Sequence, residues 1–179
     1  NSNTIIGTVN LTAVDDLFNN VGSWLTAGGT SDFGGGNDLL NNSATGLIDA
    51  ADVAGTAELT TFNGLEQFTN AGRVSLQDGG VDDRLVTTGN YTGAGGTLLI
   101  DAVLQAGGTA DVLRVDGNVT GQSLIAVANA GGTGGLPLAA TLLFARRLVA
   151  AWLVTATFRL PALVLVIGDV EARAFEDET

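Results

Sequence analysis

The sequence predicts an all-β solenoid of short parallel coils, closed at its C-terminal end by further strands. Three observations carry this reading. Short apolar runs alternate with Gly, Asn and Asp through the first 135 residues, a 15-residue phrase returns 28 residues later without a gap, and an Asn-x-Gly-x-apolar pattern recurs at similar spacing.

In chain order, the apolar runs are Ile5-Ile6, Leu39-Leu40, Leu47-Ile48, Leu98-Leu99-Ile100 and Leu124-Ile125-Ala126-Val127. Each is short and set between turn-forming residues, which is how strands are punctuated. No stretch keeps a 3.6-residue apolar period over a helix length. Residues 79–93 (GGVDDRLVTTGNYTG) and 107–121 (GGTADVLRVDGNVTG) agree at eight of 15 positions, with an offset of 107 − 79 = 28. The looser pattern appears at Asn20-Val21-Gly22-Ser23-Trp24 and Asn70-Ala71-Gly72-Arg73-Val74, with a stretched form from Asn42 to Gly46-Leu47-Ile48. The spacings are 42 − 20 = 22 and 70 − 42 = 28. Such periods suit a coil of two or three strands that turns its corners with Gly or Asn and buries its apolar face only by stacking. An antiparallel sandwich with Gly-rich hairpins is the competing arrangement; an ungapped repeat longer than a hairpin favours the solenoid.

Composition changes near Gly135. Residues 1–135 hold 25 of the 26 glycines and all 13 asparagines, whereas residues 136–179 are dominated by Ala, Leu and Val. The expected organisation is therefore 1–135 as Gly/Asn/Asp-rich coils and 136–179 as an apolar, Arg-containing tail that caps the open end, burying Trp152, Phe158 and Val164. A solenoid needs such cover because its last coil exposes both core and strand edge. Three readings of residues 136–168 compete: a divergent or engineered β segment, a membrane-seeking segment from Leu148 to Gly168 behind Arg146-Arg147, or out-of-frame translation. Arg159 and Pro161 lie inside that window, and a central Arg alone costs about 2.5–3.5 kcal/mol on insertion scales. That argues against a membrane span.

The chain has no His, Cys, Lys or Met, and its net charge is −12. This excludes a Ser-His-Asp triad, a Cys nucleophile, zinc fingers, disulfides, Schiff-base lysines and Walker-type phosphate loops. The negative charge argues against nucleic acid as a partner. Without an initiator Met or signal peptide, the chain reads as a segment of something longer.

Candidate chemistry is sparse. Gly34-Gly35-Gly36-Asn37-Asp38-Leu39-Leu40 is similar to one calcium-binding nonapeptide, but Phe33 stands at its expected first Gly and no tandem copy follows to complete a site. The pairs Asp15-Asp16 and Asp82-Asp83 are candidates for acid–base work. Neighbours on a strand point to opposite faces, however, so turn and surface acids are the simpler reading. Arg84 and Arg114 are candidates for gripping an acidic sugar, yet the repeat sets Arg114 against Val86 rather than Arg84. Asn10-Leu11-Thr12, Asn90-Tyr91-Thr92 and Asn118-Val119-Thr120 match the glycosylation sequon; the latter two coincide with the repeat and read as coil corners. No catalytic, cofactor-binding or metal-ligating set is expected.

The run from Phe62 to Gly135, FNGLEQFTNAGRVSLQDGGVDDRLVTTGNYTGAGGTLLIDAVLQAGGTADVLRVDGNVTGQSLIAVANAGGTGG, resembles the C-terminal part of autotransporter passenger domains. Val21 to Ala50 resembles upstream coils of the same kind, and Gly168 to Glu176 is similar to the last passenger coils, the autochaperone region. The tail between departs from the family's idiom. The resemblance implies a right-handed parallel β-helix with a C-terminal β cap, displayed at a Gram-negative cell surface after export across the outer membrane. Its implied partner is its own C-terminal β-barrel translocator, outside this chain. Host or bacterial surface ligands, a monomeric state, no cofactor and no enzymatic activity are further expectations. A β-helical polysaccharide lyase or hydrolase acting on acidic glycans is the alternative.

Overall fold

The computed structural model describes residues 1–133 and the backbone of two later strands. No described residue is helical. In chain order the strands are β1 (Thr4–Ile6), β2 (Leu17–Asn20), β3 (Ser23–Leu25), β4 (Thr30–Asp32), β5 (Leu39–Asn42), β6 (Leu47–Asp49), β7 (Leu59–Asn63), β8 (Gln67–Asn70), β9 (Arg73–Leu76), β10 (Arg84–Thr87), β11 (Asn90–Ala102), β12 (Val112–Val115), β13 (Val119–Asn129), β14 (Val154–Arg159) and β15 (Ala162–Ile167).

They form three parallel stacks. One runs β2, β5, β8 and the first part of β11; the second runs β1, β3, β6, β9 and the later part of β11; the third runs β4, β7, β10 and β12. Each coil visits the stacks in turn, so strands adjacent in sequence turn corners while strands one coil apart pair. That is the parallel solenoid, and it excludes the hairpin sandwich. Register positions Asn20, Asn42, Asn70, Gly93 and Gly121 lie one above another. The coils between them span 22, 28, 93 − 70 = 23 and 121 − 93 = 28 residues.

The 28-residue repeat is literal stacking. Leu85 sits beside Leu113, Thr92 beside Thr120, Gly93 beside Gly121, and Val86 beside Arg114. β11 serves two stacks because it bends: its register shifts between Ala94 and Thr97, where Gly95 has φ +83°, a conformation open to glycine at little cost. At the C-terminal end β15 pairs antiparallel with β13, and β14 antiparallel with β15. Gly135, Trp152 and the side chains of Phe158 and Val164 lie outside the described residues. Within the Leu148–Gly168 window the described backbone is strand, at β14 and β15.

Inside, residues of alternate parity line the core. Ile5, Trp24, Ile48, Val74, Leu98 and Ile125 form one column; Phe18, Leu40, Phe68, Tyr91 and Val119 form another. Phe62 stands between them, stacked on Trp24 at 5.0 Å and edge-on to Phe33 and Phe68 at 6.0 and 5.8 Å. The third stack is more polar: Thr60 of β7 shares a hydroxyl hydrogen bond of 2.5 Å with Thr26, just past β3, and the Thr87 hydroxyl of β10 is fully buried without a partner. Leaving a buried hydroxyl unpaired costs about 1–3 kcal/mol. Thr87→Val, nearly the same shape, is therefore expected to raise the urea unfolding midpoint; an unchanged or lower midpoint would contradict the burial described.

Candidate functional site

Two columns of buried polar groups run through the coils. The first is an amide ladder. Asn20, Asn42 and Asn70 each close a strand of the β2–β5–β8 stack, two residues beyond Phe18, Leu40 and Phe68, so strand alternation points them inward. Asn1 Nδ2 donates to Asn20 Oδ1 and to the Ser23 carbonyl, both at 2.9 Å. Asn20 Nδ2 donates to Asn42 Oδ1 and the Leu47 carbonyl, both at 2.9 Å. Asn42 Nδ2 repeats the pattern with Asn70 Oδ1 at 2.8 Å and the Arg73 carbonyl at 3.0 Å. Each amide thus spends both N–H groups on the next coil. The ladder ends where Gly93 replaces Asn: Asn70 Nδ2 donates to the Tyr91 hydroxyl at 3.2 Å, which pairs with Ser123 Oγ at 2.9 Å.

The ladder explains the glycines of the Asn-x-Gly pattern. Gly22, Gly46, Gly72 and Gly96 stack one residue before the paired positions Ser23, Leu47, Arg73 and Thr97. A Cβ at Gly46 would run into Asn42 Oδ1 and the Asn20 carbonyl; one at Gly96 would lie 2.6 Å from Asn70 Nδ2. The 22- and 28-residue spacings were legible; that these asparagines face the core rather than form corners was not.

The second column is acidic and lies where the chain crosses from the second stack to the third. Main-chain N–H groups there have no strand to pair with, and carboxylates of the next coil accept them. Glu58 N–H donates to Asp83 Oδ1 at 2.8 Å, and Asp83 N–H to Asp111 Oδ1 at 3.2 Å. Asp101 N–H donates to Asp111 Oδ2 at 2.7 Å. Burial pushes the Asp83 carboxyl up to about 6, against the Glu58 N–H and assisted by the charges of Asp78 and Asp82. Burial likewise pushes Asp111 up to about 7, against the N–H bonds from Asp101 and Asp83 and assisted by the charges of those same residues. Burial also raises Asp49 and Glu58. Asp78 goes the other way: burial opposes ionisation, but N–H bonds from Gly80, Gly55 and Thr56 hold it below its ordinary value.

The sign of the pH dependence follows. Asp83 and Asp111, raised in the fold, add stability that is complete below the ordinary value of 3.8 and is lost as pH rises through about 6 and about 7. The urea midpoint is therefore expected to fall between about pH 4 and about pH 7. Asp83→Asn, which keeps the Oδ1 acceptor but cannot ionise, should flatten the slope between about pH 4 and about pH 6. Equal slopes in variant and parent would remove Asp83 as a cause.

The remaining candidates are dispersed. Reading Asp82-Asp83 as surface acids holds for Asp82, which is exposed, and is corrected for Asp83, which is buried because a main-chain N–H requires it. Asp15 Oδ1 accepts from Asn37 N–H at 2.8 Å, while Asp16 Oδ2 accepts from Thr12. In the calcium-like segment Gly34 and Gly36 turn the corner into β5 with φ +88° and +127°. Asp38 there is a further carboxylate rung, accepting from Asp16 N–H and donating its own N–H to Glu66, both at 2.7 Å. Among the described residues no cluster of three or more acidic side chains is arranged to hold a metal. Arg84 lies exposed beside Val112, and Arg114 pairs with Asp116 at 2.7 Å. Of the sequon asparagines, Asn90 Oδ1 accepts the Asn118 N–H at 2.9 Å, a corner role, and Asn10 bridges to Asp32.

Comparison with known proteins supplies the family. A family profile described as Autochaperone Domain Type 1 matches residues 56–166, a stretch that runs from the second full coil through most of the apolar tail. The uncharacterized protein YuaQ of Escherichia coli (strain K12) is 33% identical over 137 residues, covering 74% of this chain and 10% of its own length. The probable autotransporter YfaL of the same strain is 35% identical over 111 residues, covering 54% of this chain and 9% of its own. The chain thus spans about a tenth of the length of these relatives. No solved structure matches it. The stacked parallel coils and the profile agree: this chain belongs to the type 1 autochaperone domain family, the autochaperone region of an autotransporter passenger.

Proposed function

We propose that the chain is the non-catalytic C-terminal stem of a surface-displayed passenger, and that its coils template the folding of those that precede them. The observation that carries this reading is the stacking itself: the described coils pair with one another along parallel main-chain edges over one shared hydrophobic core. At the C-terminal end antiparallel β15 and β14 follow β13 in the sheet. An open parallel edge over a hydrophobic column favours addition of the next coil. The longer relatives have room for many such coils.

In this reading the partner is the protein's own C-terminal β-barrel, the location is the cell surface after outer-membrane export, and residues 136–179 serve as the cap. Adhesion to host or bacterial surfaces belongs to the distal passenger. Deleting residues 62–179 from the full-length protein is expected to reduce both surface display and protease resistance of the upstream passenger. Unchanged display and resistance would overturn the proposal. The lyase or hydrolase alternative is not favoured: Arg84 and Arg114 lie out of register, and Asp83 and Asp111 accept main-chain N–H groups inside a corner.

A further inference from the structure

We propose that the amide ladder is the register key of the stack: it selects which residue of an incoming coil pairs with which residue of the coil already folded. The inference rests on the templating reading, and it names the residues that would make templating specific.

The argument is one of discrimination. A one-residue slip between parallel strands turns a strand inside out, and the apolar pattern alone forbids it. A two-residue slip keeps inward residues inward, so the apolar pattern resists it poorly. In the native register Phe18 sits beside Leu40 and Asn20 beside Asn42; β5 repeats the arrangement on β8 with Phe68 and Asn70. Slipping β5 by two would set Phe18 against Asn42 and leave the Asn20 amide without its acceptor. It would also part Asn20 Nδ2 from the Leu47 carbonyl on the adjoining stack. Unpaired buried amides cost far more than the slip saves, and a single buried Asn is known to fix register in coiled coils in this way. The glycine column adds a steric check, because Gly46, Gly72 and Gly96 leave room for an amide or a carbonyl at one height only. The ladder runs from Asn1 through Asn20 and Asn42 to Asn70, and is replaced by Tyr91 and Ser123 toward the C-terminal coils.

The absence of native cysteine allows a direct test on the purified chain. Leu17 and Leu39 are paired in register and neither is fully buried. In-register neighbours lie about 4.8 Å apart, within disulfide reach, whereas a two-residue offset separates them by about 8 Å, beyond it. L17C/L39C therefore reports the native register, and L17C/N41C and N19C/L39C report the two slips. With the ladder intact, only the first pair is expected to oxidise under a mild glutathione couple. In an N20L/N42L/N70L background the slipped pairs should rise at least tenfold at the expense of the native one. A second variant, L40N/N42L, moves one rung by two residues and should shift the preferred pair to N19C/L39C. Persistence of the native pair alone in either background would overturn the proposal. Failure of both backgrounds to fold would overturn it too, since the column would then be a stability element and nothing more. The readout requires no secretion, so it separates failure of the register key from failure of templating, which the deletion of residues 62–179 reports at the cell surface.

Discussion

Replacing Phe62 with alanine is expected to lower the free energy of unfolding by about 3–5 kcal/mol, the range for a large buried aromatic. Phe62 is fully buried and is the ring where the three stacks meet, touching Trp24, Phe33 and Phe68. Truncation removes its burial and leaves a cavity that the surrounding coils cannot close, because main-chain ladders one coil above and below hold them at a fixed spacing. Phe18→Ala, at a partly buried ring that touches Trp24 from one side, should cost distinctly less. Urea denaturation of the two variants decides the matter: equal losses would mean that the core is not organised around Phe62.

A comparable loss is expected at a residue with no side chain. Gly72→Ala should destabilise by about 3 kcal/mol or more, the upper range for overpacking, because the added methyl would meet the carbonyl oxygens of Ser43 and Gly46 on the coil below. Neither atom belongs to a flexible side chain, so the coils themselves would have to separate. Gly35→Ala is the control, since nothing lies within 4 Å of a Cβ there; it should stay within about 0.5 kcal/mol of the parent, as surface substitutions do. Similar midpoints for the two variants would refute close approach at Gly72.

The comparison of Gly72 with Gly35 also marks what could be read before the structure. The 28-residue repeat, the offset of Arg114 against Val86 and the recurrence of Asn before Gly all follow from stacking, and stacking writes itself into sequence as spacing. The inward asparagines were harder to see, because composition places Asn at corners and on surfaces. Strand parity held the missing signal: Asn20, Asn42 and Asn70 each share a face with Phe18, Leu40 or Phe68. Asp83 and Asp111 were visible as a repeated pair, yet their burial depends on N–H groups of Glu58 and Asp83 left over at a corner. No sequence pattern counts such leftovers. The third stack was also hidden, since β4 (TSD) and β7 (LTTFN) carry too little apolar periodicity to announce strands.

The perpendicular run of every strand to the stacking axis bears on how the molecule takes load. A pull along that axis at the N-terminal end bears on the hydrogen bonds joining one coil to the next, and opens them as a peeling front. The bonds break a few at a time, and each coil released adds 22 to 28 residues of slack, roughly 70–100 Å of contour at 3.3–3.6 Å per residue. Under tension the stack would lengthen in steps of that size, while its antiparallel end remained intact until last.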